Sequence, residues 1–382
     1  MEPGGSDNSR IRLPYLDGLR GVSALCVVIN HVYIHATWNH PDLLPAPLRL
    51  LAGVFNNGQY AVDVFIVLSG YCLMMPAARS GGRRMPGSFE KFIVRRARRI
   101  LPAYYASLIA VLLLMAAIPW LRQPSGTRQD FVIPVFTAGN LLSHATLLHN
   151  LNADWILKIN PPLWSVATEW QIYFAFALLL VPIWSRGGIV LATLFAIALG
   201  CLPHAWHWND GARFWMLGLF GMGMTAAVIS FSSHAAAVRL RSAVPWGAFA
   251  AVLWLVGLIG VMLRREMLEH SPLLTDLYFG AAATVLIIGC TRAVLAARRP
   301  TVLRALESPV ARLLGRISYS LYLVHWPILA LLLIGSMRAG VSADGCLAIL
   351  ATAGVFLSLL TAWIFHRLFE RPFMHQYTES GK

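Results

Sequence analysis

Charge is what this 382-residue chain has least of: 13% of its residues are Asp, Glu, Lys or Arg, against 57% hydrophobic ones. A soluble globular domain carries about 25% charged residues, so that class is excluded, and a mean hydropathy of +0.62 points to lipid as the solvent. Acidic residues are scarcer still, 17 against 31 basic ones. The five cysteines show no CxxC spacing and fall in or beside apolar runs, which excludes a disulfide or zinc framework and leaves buried thiols. No small-residue cleavage pattern precedes the first apolar run, so the first helix is expected to stay. No stretch at either end is polar and long enough to fold as an appended domain.

What is present is a succession of apolar runs of membrane length. They lie near 15–36, 59–78, 101–119, 162–183, 188–203, 213–231, 244–263, 273–296, 317–336 and 344–366. The expectation is an all-α polytopic bundle of about ten transmembrane helices forming one integral-membrane domain over 1–382, with polar tails at 1–14 and 374–382. With the N-terminus inside, 23 of the 31 Lys and Arg residues fall on cytoplasmic segments and 8 on outer ones. Basic loops are retained in the cytoplasm, so both termini are expected there, in a cytoplasmic (inner) membrane. The +14 net charge then belongs to one membrane face and to anionic lipids, and no nucleic-acid partner is needed to explain it.

Against this background a few ionisable residues stand out. Arg20 and His31 flank the first span; eleven residues turn a helix about 20° past three full turns, so both project from one face, separated by roughly 16 Å in depth. Ionisable groups inside a membrane are costly and mark function. Before the third span runs Arg95-Arg96-Ala97-Arg98-Arg99, in which Arg96 and Arg99 share one helical face and Arg95 and Arg98 another. Guanidinium groups so placed grip phosphates bidentately, and an anionic, nucleotide-like ligand entering from the cytoplasm would meet them together with Arg20. Asp63 heads the second span. Glu169 lies inside the fourth, five residues after Trp164 and four before Tyr173. Either carboxylate could orient the tautomer of His31 and stabilise its imidazolium, as a histidine base requires; the sequence leaves the choice open.

Taken together these motifs resemble the acyltransferase 3 family of membrane-bound acyltransferases, over nearly the whole chain. The resemblance rests on Leu16-Asp17-Gly18-Leu19-Arg20-Gly21 followed by His31, on Asp63-Val64-Phe65 through Ser69-Gly70, and on the arginine run ending Ile100-Leu101-Pro102. It continues in Leu163-Trp164-Ser165 with Glu169 and Gln171, in Ser318-Tyr319 to His325, and in the closing Glu370-Arg371-Pro372-Phe373. Trp170 stands where a second acidic residue is common, and no counterpart of the esterase-like domain of many relatives is expected. The resemblance implies transfer of an acyl group, usually acetyl, from cytoplasmic acyl-coenzyme A to a hydroxyl of a glycan or other acceptor, without a metal. On that reading His31 is the catalytic base with Glu169 or Asp63 behind it, and Arg20, Arg95, Arg96, Arg99, Trp164 and Tyr173 hold the donor. Covalent passage of the acyl group through His31 is the alternative route.

His325, before Trp326-Pro327, is expected to be structural. The aromatic loop Pro203 to Asp210 and the loop 145–162, with His149, Asn150, Asn152 and Asp154, are candidate acceptor frames. The rival class is a transporter or flippase of an anionic or lipid-linked substrate, which should show inverted-repeat hydropathy and broken helices in matched positions; neither is evident. Acceptor identity, acyl length and oligomeric state are not encoded legibly.

Overall fold

Fold and site are described from a computed structural model covering residues 12–55, 58–81, 87–133, 135–263 and 271–374. The two polar tails lie almost wholly outside these residues. Among the described residues nine helical runs are long and apolar enough to cross a membrane. They are α1 (Tyr15–Thr37), α2 (Gln59–Arg79), α3 (Phe89–Ala117), α4 (Leu163–Ala205), α5 (Asp210–Phe231), α6 (Trp246–Leu263), α7 (Pro272–Leu295), α8 (Pro309–Arg338) and α9 (Ala343–Met374). The expected ten become nine because the fourth and fifth are continuous in α4, interrupted only at Gly188, whose φ of 82° and ψ of 177° are non-helical. At 1.5 Å per residue the 43 residues of α4 span about 64 Å, twice a hydrocarbon core of about 30 Å. The run therefore supplies two crossings that meet at Gly188, where glycine tolerates the positive φ.

Close approach of small residues sets the packing, as befits helices that gain nothing by hiding apolar surface from lipid. On α1 and α8, a Cβ added to Gly315 would meet the carbonyl oxygen of Asp17 at 2.0 Å, and one on Gly21 the backbone nitrogen of Gly315 at 2.5 Å. Further along the same pair His31 meets His325, and Ala36 shares an apolar cluster with Leu333. Residue numbers rise together, so α1 and α8 run parallel and in contact along their length. Helix α2 is parallel to α5 by the same reasoning, since Gly70 abuts Phe220 and Arg79 lies over the Phe231 ring. One end of the bundle thereby gathers Arg20, the Arg95–Arg99 run, Arg292, Arg298 and Arg299, and is the basic face; the other carries the segment 118–162.

Proline 327 shows how a helix break is absorbed. It has no N–H for the carbonyl of Leu323 one turn back, and that oxygen instead accepts from the Asn160 amide at 2.9 Å and the Ser107 hydroxyl at 3.1 Å. The bond ties the opposite-face segment and α3 to the middle of α8. At the basic end, Glu370 of the closing motif accepts from the Ser320 hydroxyl at 2.7 Å and pairs with His366 at 2.9 Å. This locks the end of α9 onto α8.

Candidate functional site

The side chains singled out on α1 sit at two levels: Arg20 in the wall of a cavity on the basic side, and His31 farther along the helix, outside that cavity's lining. On the basic side, Arg20, Arg96 and Arg99 line a cavity of about 100 Å³ together with Ser69, Glu169 and Tyr173. Arg20 reaches it because α1 lies against α2: one Nη is 3.1 Å from the Cys72 sulfur and the other 3.2 Å from the Asp17 carboxylate. Arg96 and Arg99 reach it because α3 extends beyond the membrane, its first turn capped by Ser88, which accepts from the Lys91 N–H at 3.3 Å. Their i, i+3 spacing points both inward. Glu169 accepts from the Tyr173 hydroxyl at 2.6 Å, and Ser69 is 3.3 Å from that hydroxyl. Three guanidinium groups face one carboxylate, so the cavity carries excess positive charge. The Nε of Arg96 is buried and unpaired among the described residues, a donor that calls for a ligand. Arg95 and Trp164 are not in the cavity wall; Trp164 packs at the margin of the apolar core.

The cavity closes against Phe65, Ser165 and Tyr322. The Tyr322 hydroxyl is 2.7 Å from Ser165 Oγ, and its ring centroid is 6.0 Å from that of His325. One turn on, His31 Nδ1 lies 2.6 Å from His325 Nε2, with the rings nearly coplanar, 9° apart. The second nitrogen of His325, Nδ1, is 2.9 Å from the carbonyl oxygen of Leu321. That oxygen can only accept, so His325 carries its proton on Nδ1 and presents a lone pair at Nε2. The short contact then requires N–H on His31 Nδ1, which leaves His31 Nε2 with the free lone pair. Trp326 packs edge-on to His31 with centroids 4.9 Å apart, and donates its indole N–H to Gln129 at 3.0 Å. A further imidazole, His35, lies one turn along α1 against the same indole at 4.5 Å, and both of its ring nitrogens are buried and, among the described residues, without a hydrogen-bond partner.

The expected partnership of His31 with a carboxylate is therefore not the one formed. Asp63 occupies the α2 stripe of Val67 and Gly70 that packs on α5; Gln59 donates to it at 3.2 Å, and its charged neighbours are Asp276 and Arg213. Arg213 in turn contacts Asp276 at 2.6 Å. Glu169 is held a level lower by Tyr173. His325, expected from the sequence to be structural, is set against His31, and Tyr322 and Ser165 close the end of the cavity. The signal was available in retrospect: His325 stands two residues before Pro327, within a helix that runs on through the proline, and it faces the α1 stripe already marked by Arg20 and His31.

On the opposite face the two candidate acceptor frames converge. Asn150 and Gln171 exchange hydrogen bonds at 3.2 and 2.7 Å, Gln171 also donates to the carbonyl of Leu147 at 3.0 Å, and Asn209 donates to the carbonyl of Asn150 at 2.9 Å. His144 and His149 stack with centroids 4.0 Å apart and are fully buried. Desolvation holds both below the usual imidazole range, most strongly His149, whose neighbour His144 adds to the effect.

Residues 13–367 match the family model described as an acyltransferase domain. The chain is 28% identical over 346 residues to a protein of Komagataeibacter xylinus named as a membrane-bound transacylase, an alignment covering 86% of this chain and 78% of that one. It is 26% identical over 344 residues to the peptidoglycan O-acetyltransferase OatA of Listeria monocytogenes, covering 85% of this chain and 50% of that protein. No solved structure matches the chain. The matched span takes in the arginine cavity, the paired imidazoles and nearly all of the bundle, and the chain belongs to the acyltransferase 3 family of membrane-bound acyltransferases.

Proposed function

We propose that this protein transfers an acyl group, acetyl in the first instance, from acyl-coenzyme A entering at the basic face to a hydroxyl of a glycan or similar acceptor reaching His31 from the opposite face. The basic face is then cytoplasmic, the membrane the cytoplasmic one, and both termini lie inside. Coenzyme A is a polyanion on a long thin arm. Arg20, Arg96 and Arg99 bind its phosphates, and the arm extends toward His31 past Tyr322, whose ring must swing off Ser165 to let the thioester through.

His31 Nε2 takes the proton from the acceptor hydroxyl as the oxygen attacks the thioester carbonyl. The tetrahedral intermediate collapses with cleavage of the C–S bond, and the departing thiolate takes the proton back from His31. His325 supplies what a carboxylate supplies in other histidine-based sites: it fixes the tautomer through the Nδ1–H contact and shares the positive charge, backed by the Leu321 carbonyl. Glu169 and Tyr173 hold Arg20 and Arg96 at the level of the donor. Asp63 belongs to the frame that holds α2 on α5 and α7. The unpaired nitrogens of His35 lie on the acceptor side of His31 and are free to bind the incoming hydroxyl-bearing group.

The observation that carries this reading is a guanidinium-lined cavity ending one helical turn below a hydrogen-bonded imidazole pair whose outer nitrogen is basic. The test is transfer from radiolabelled acetyl-coenzyme A by protein in nanodiscs. His31→Gln should lose turnover while still binding the donor, and Arg96→Ala should raise the donor KM about tenfold, on the order of one charge-assisted phosphate contact. Full turnover in His31→Gln would overturn the base assignment. The carrier alternative has no specific observation in its favour.

A further inference from the structure

A second, much larger cavity, about 1130 Å³, opens between α1, α2, α6 and α7. It exceeds the roughly 300–1,000 Å³ of ordinary small-molecule pockets. The α1 residues on its wall are Leu19, Val22, Ser23 and Cys26, a single helical stripe about 100° round the helix from Arg20 and His31. It is therefore separate from the donor cavity and lies behind the helix that carries the proposed chemistry.

Three features identify what it takes. Its depth along α6 is marked by Trp246, Ala250, Trp254 and Leu258, twelve residues or about 18 Å, close to one leaflet's share of a hydrocarbon core of about 30 Å. Its walls are apolar and small on the α7 side, where Gly289, Cys290 and Ala293 leave the room. Its basic end is lined by Arg292, Arg298 and Arg299, and no Asp or Glu is among the described residues that line it. Arg292 is steadied by the Val244 carbonyl at 2.9 Å, Arg299 has Glu307 at 3.5 Å, and Arg298 is exposed beside them. A slot one leaflet deep with an arginine rim matches an acyl chain joined to a phosphate headgroup.

We propose that this cavity is a binding site for an anionic glycerophospholipid of the basic-face leaflet, its phosphate on Arg298 and Arg299 and an acyl chain against Trp254 and Cys26. The lipid braces the back of α1 and so couples bilayer composition to the register of Arg20 and His31. The site stands on its own geometry, independent of the acyl donor and of the role of any histidine.

The test is native mass spectrometry of delipidated protein offered phosphatidylglycerol or phosphatidylcholine with identical chains. Retention of phosphatidylglycerol at least fivefold over phosphatidylcholine is expected. That preference should vanish in Arg298→Gln/Arg299→Gln and persist in Arg239→Gln, a basic residue exposed away from the cavity. Because both positions of the double variant are exposed, the substitutions spare the fold. Photoactivatable phosphatidylglycerol should label peptides of α6 and α7 in the wild type and lose that labelling in Ala250→Trp. Equal retention of the two lipids, an unchanged preference in the double variant, or labelling spread evenly over lipid-facing helices such as α9 would reduce the cavity to ordinary annular lipid and overturn the proposal.

Discussion

Replacing His325 by phenylalanine removes the acceptor of the 2.6 Å contact to His31 while roughly filling its volume. In the resting protein this strands the His31 Nδ1–H in a site without a substitute partner, a cost of about 1–3 kcal/mol for a buried unpaired donor. The neutral imidazole can escape that cost by moving its proton to Nε2, the wrong tautomer for a base facing the acceptor. In the transition state the loss is larger, because the imidazolium has no neighbour to share its charge. General base catalysis is worth about 10²–10⁴-fold, or about 2.7–5.4 kcal/mol, and a base locked in the wrong tautomer forfeits most of it. The expected result for His325→Phe is a fall in kcat of at least a hundredfold with the donor KM within a factor of about two. His325→Gln should recover part of it, since an amide oxygen can accept from Nδ1–H but cannot carry the charge. The assay is single-turnover transfer from acetyl-coenzyme A in nanodiscs, with circular dichroism to confirm that each variant is folded. If His325→Phe keeps wild-type kcat, or Gln does no better than Phe, the imidazole pair is packing and the orientation argument fails.

Other consequences follow from the same contacts. Gly315→Val places side-chain atoms where the Asp17 carbonyl stands 2.0 Å from even a Cβ; with overpacking costing about 1–3 kcal/mol or more, it should lower the unfolding temperature in detergent and abolish transfer together, and a stable, active variant would refute the α1–α8 crossing. Asn160→Ala frees the Leu323 carbonyl of its nearest donor and should destabilise the protein by about 1–3 kcal/mol, read by chemical denaturation, whereas Asp154→Ala, at an exposed position of that segment, should cost little. Tyr322→Phe, which releases the ring from Ser165 without changing its size, should raise the rate of donor entry in stopped-flow binding, and a slower entry would contradict the gating role. The His144–His149 pair is held below the usual imidazole range by burial, so the folded state binds fewer protons than the unfolded one. Its contribution is complete above the unfolded value of about 6.5 and is lost as pH falls below it. Protection factors of the amides across 138–162, with the intrinsic pH dependence of exchange divided out, should fall from pH 7.5 to pH 5, and a His144→Asn/His149→Gln variant should show no such change.

Composition and apolar periodicity alone settled that this is an α-helical membrane protein, because lipid leaves the backbone no partner but its own helix. The stretches of about twenty apolar residues set the crossings to within a few positions, and the ordered motifs along α1 to α9 carried the family. Arg20, Arg96, Arg99, Glu169 and Tyr173 were legible as candidates because a charge or hydroxyl on an apolar helix announces itself, and the structure gathers them in one cavity. Which of them meet was not legible. His31 pairs with His325, 294 positions away, because small residues let α1 and α8 close on each other. Asp63 turns instead to Arg213 and Asp276, since its stripe on α2 is the one that α5 covers. The large cavity behind α1 was invisible for the same reason: it is made of what four helices fail to fill. A sequence states the cost of each buried group, but only the packing of distant helices decides which neighbour offsets it.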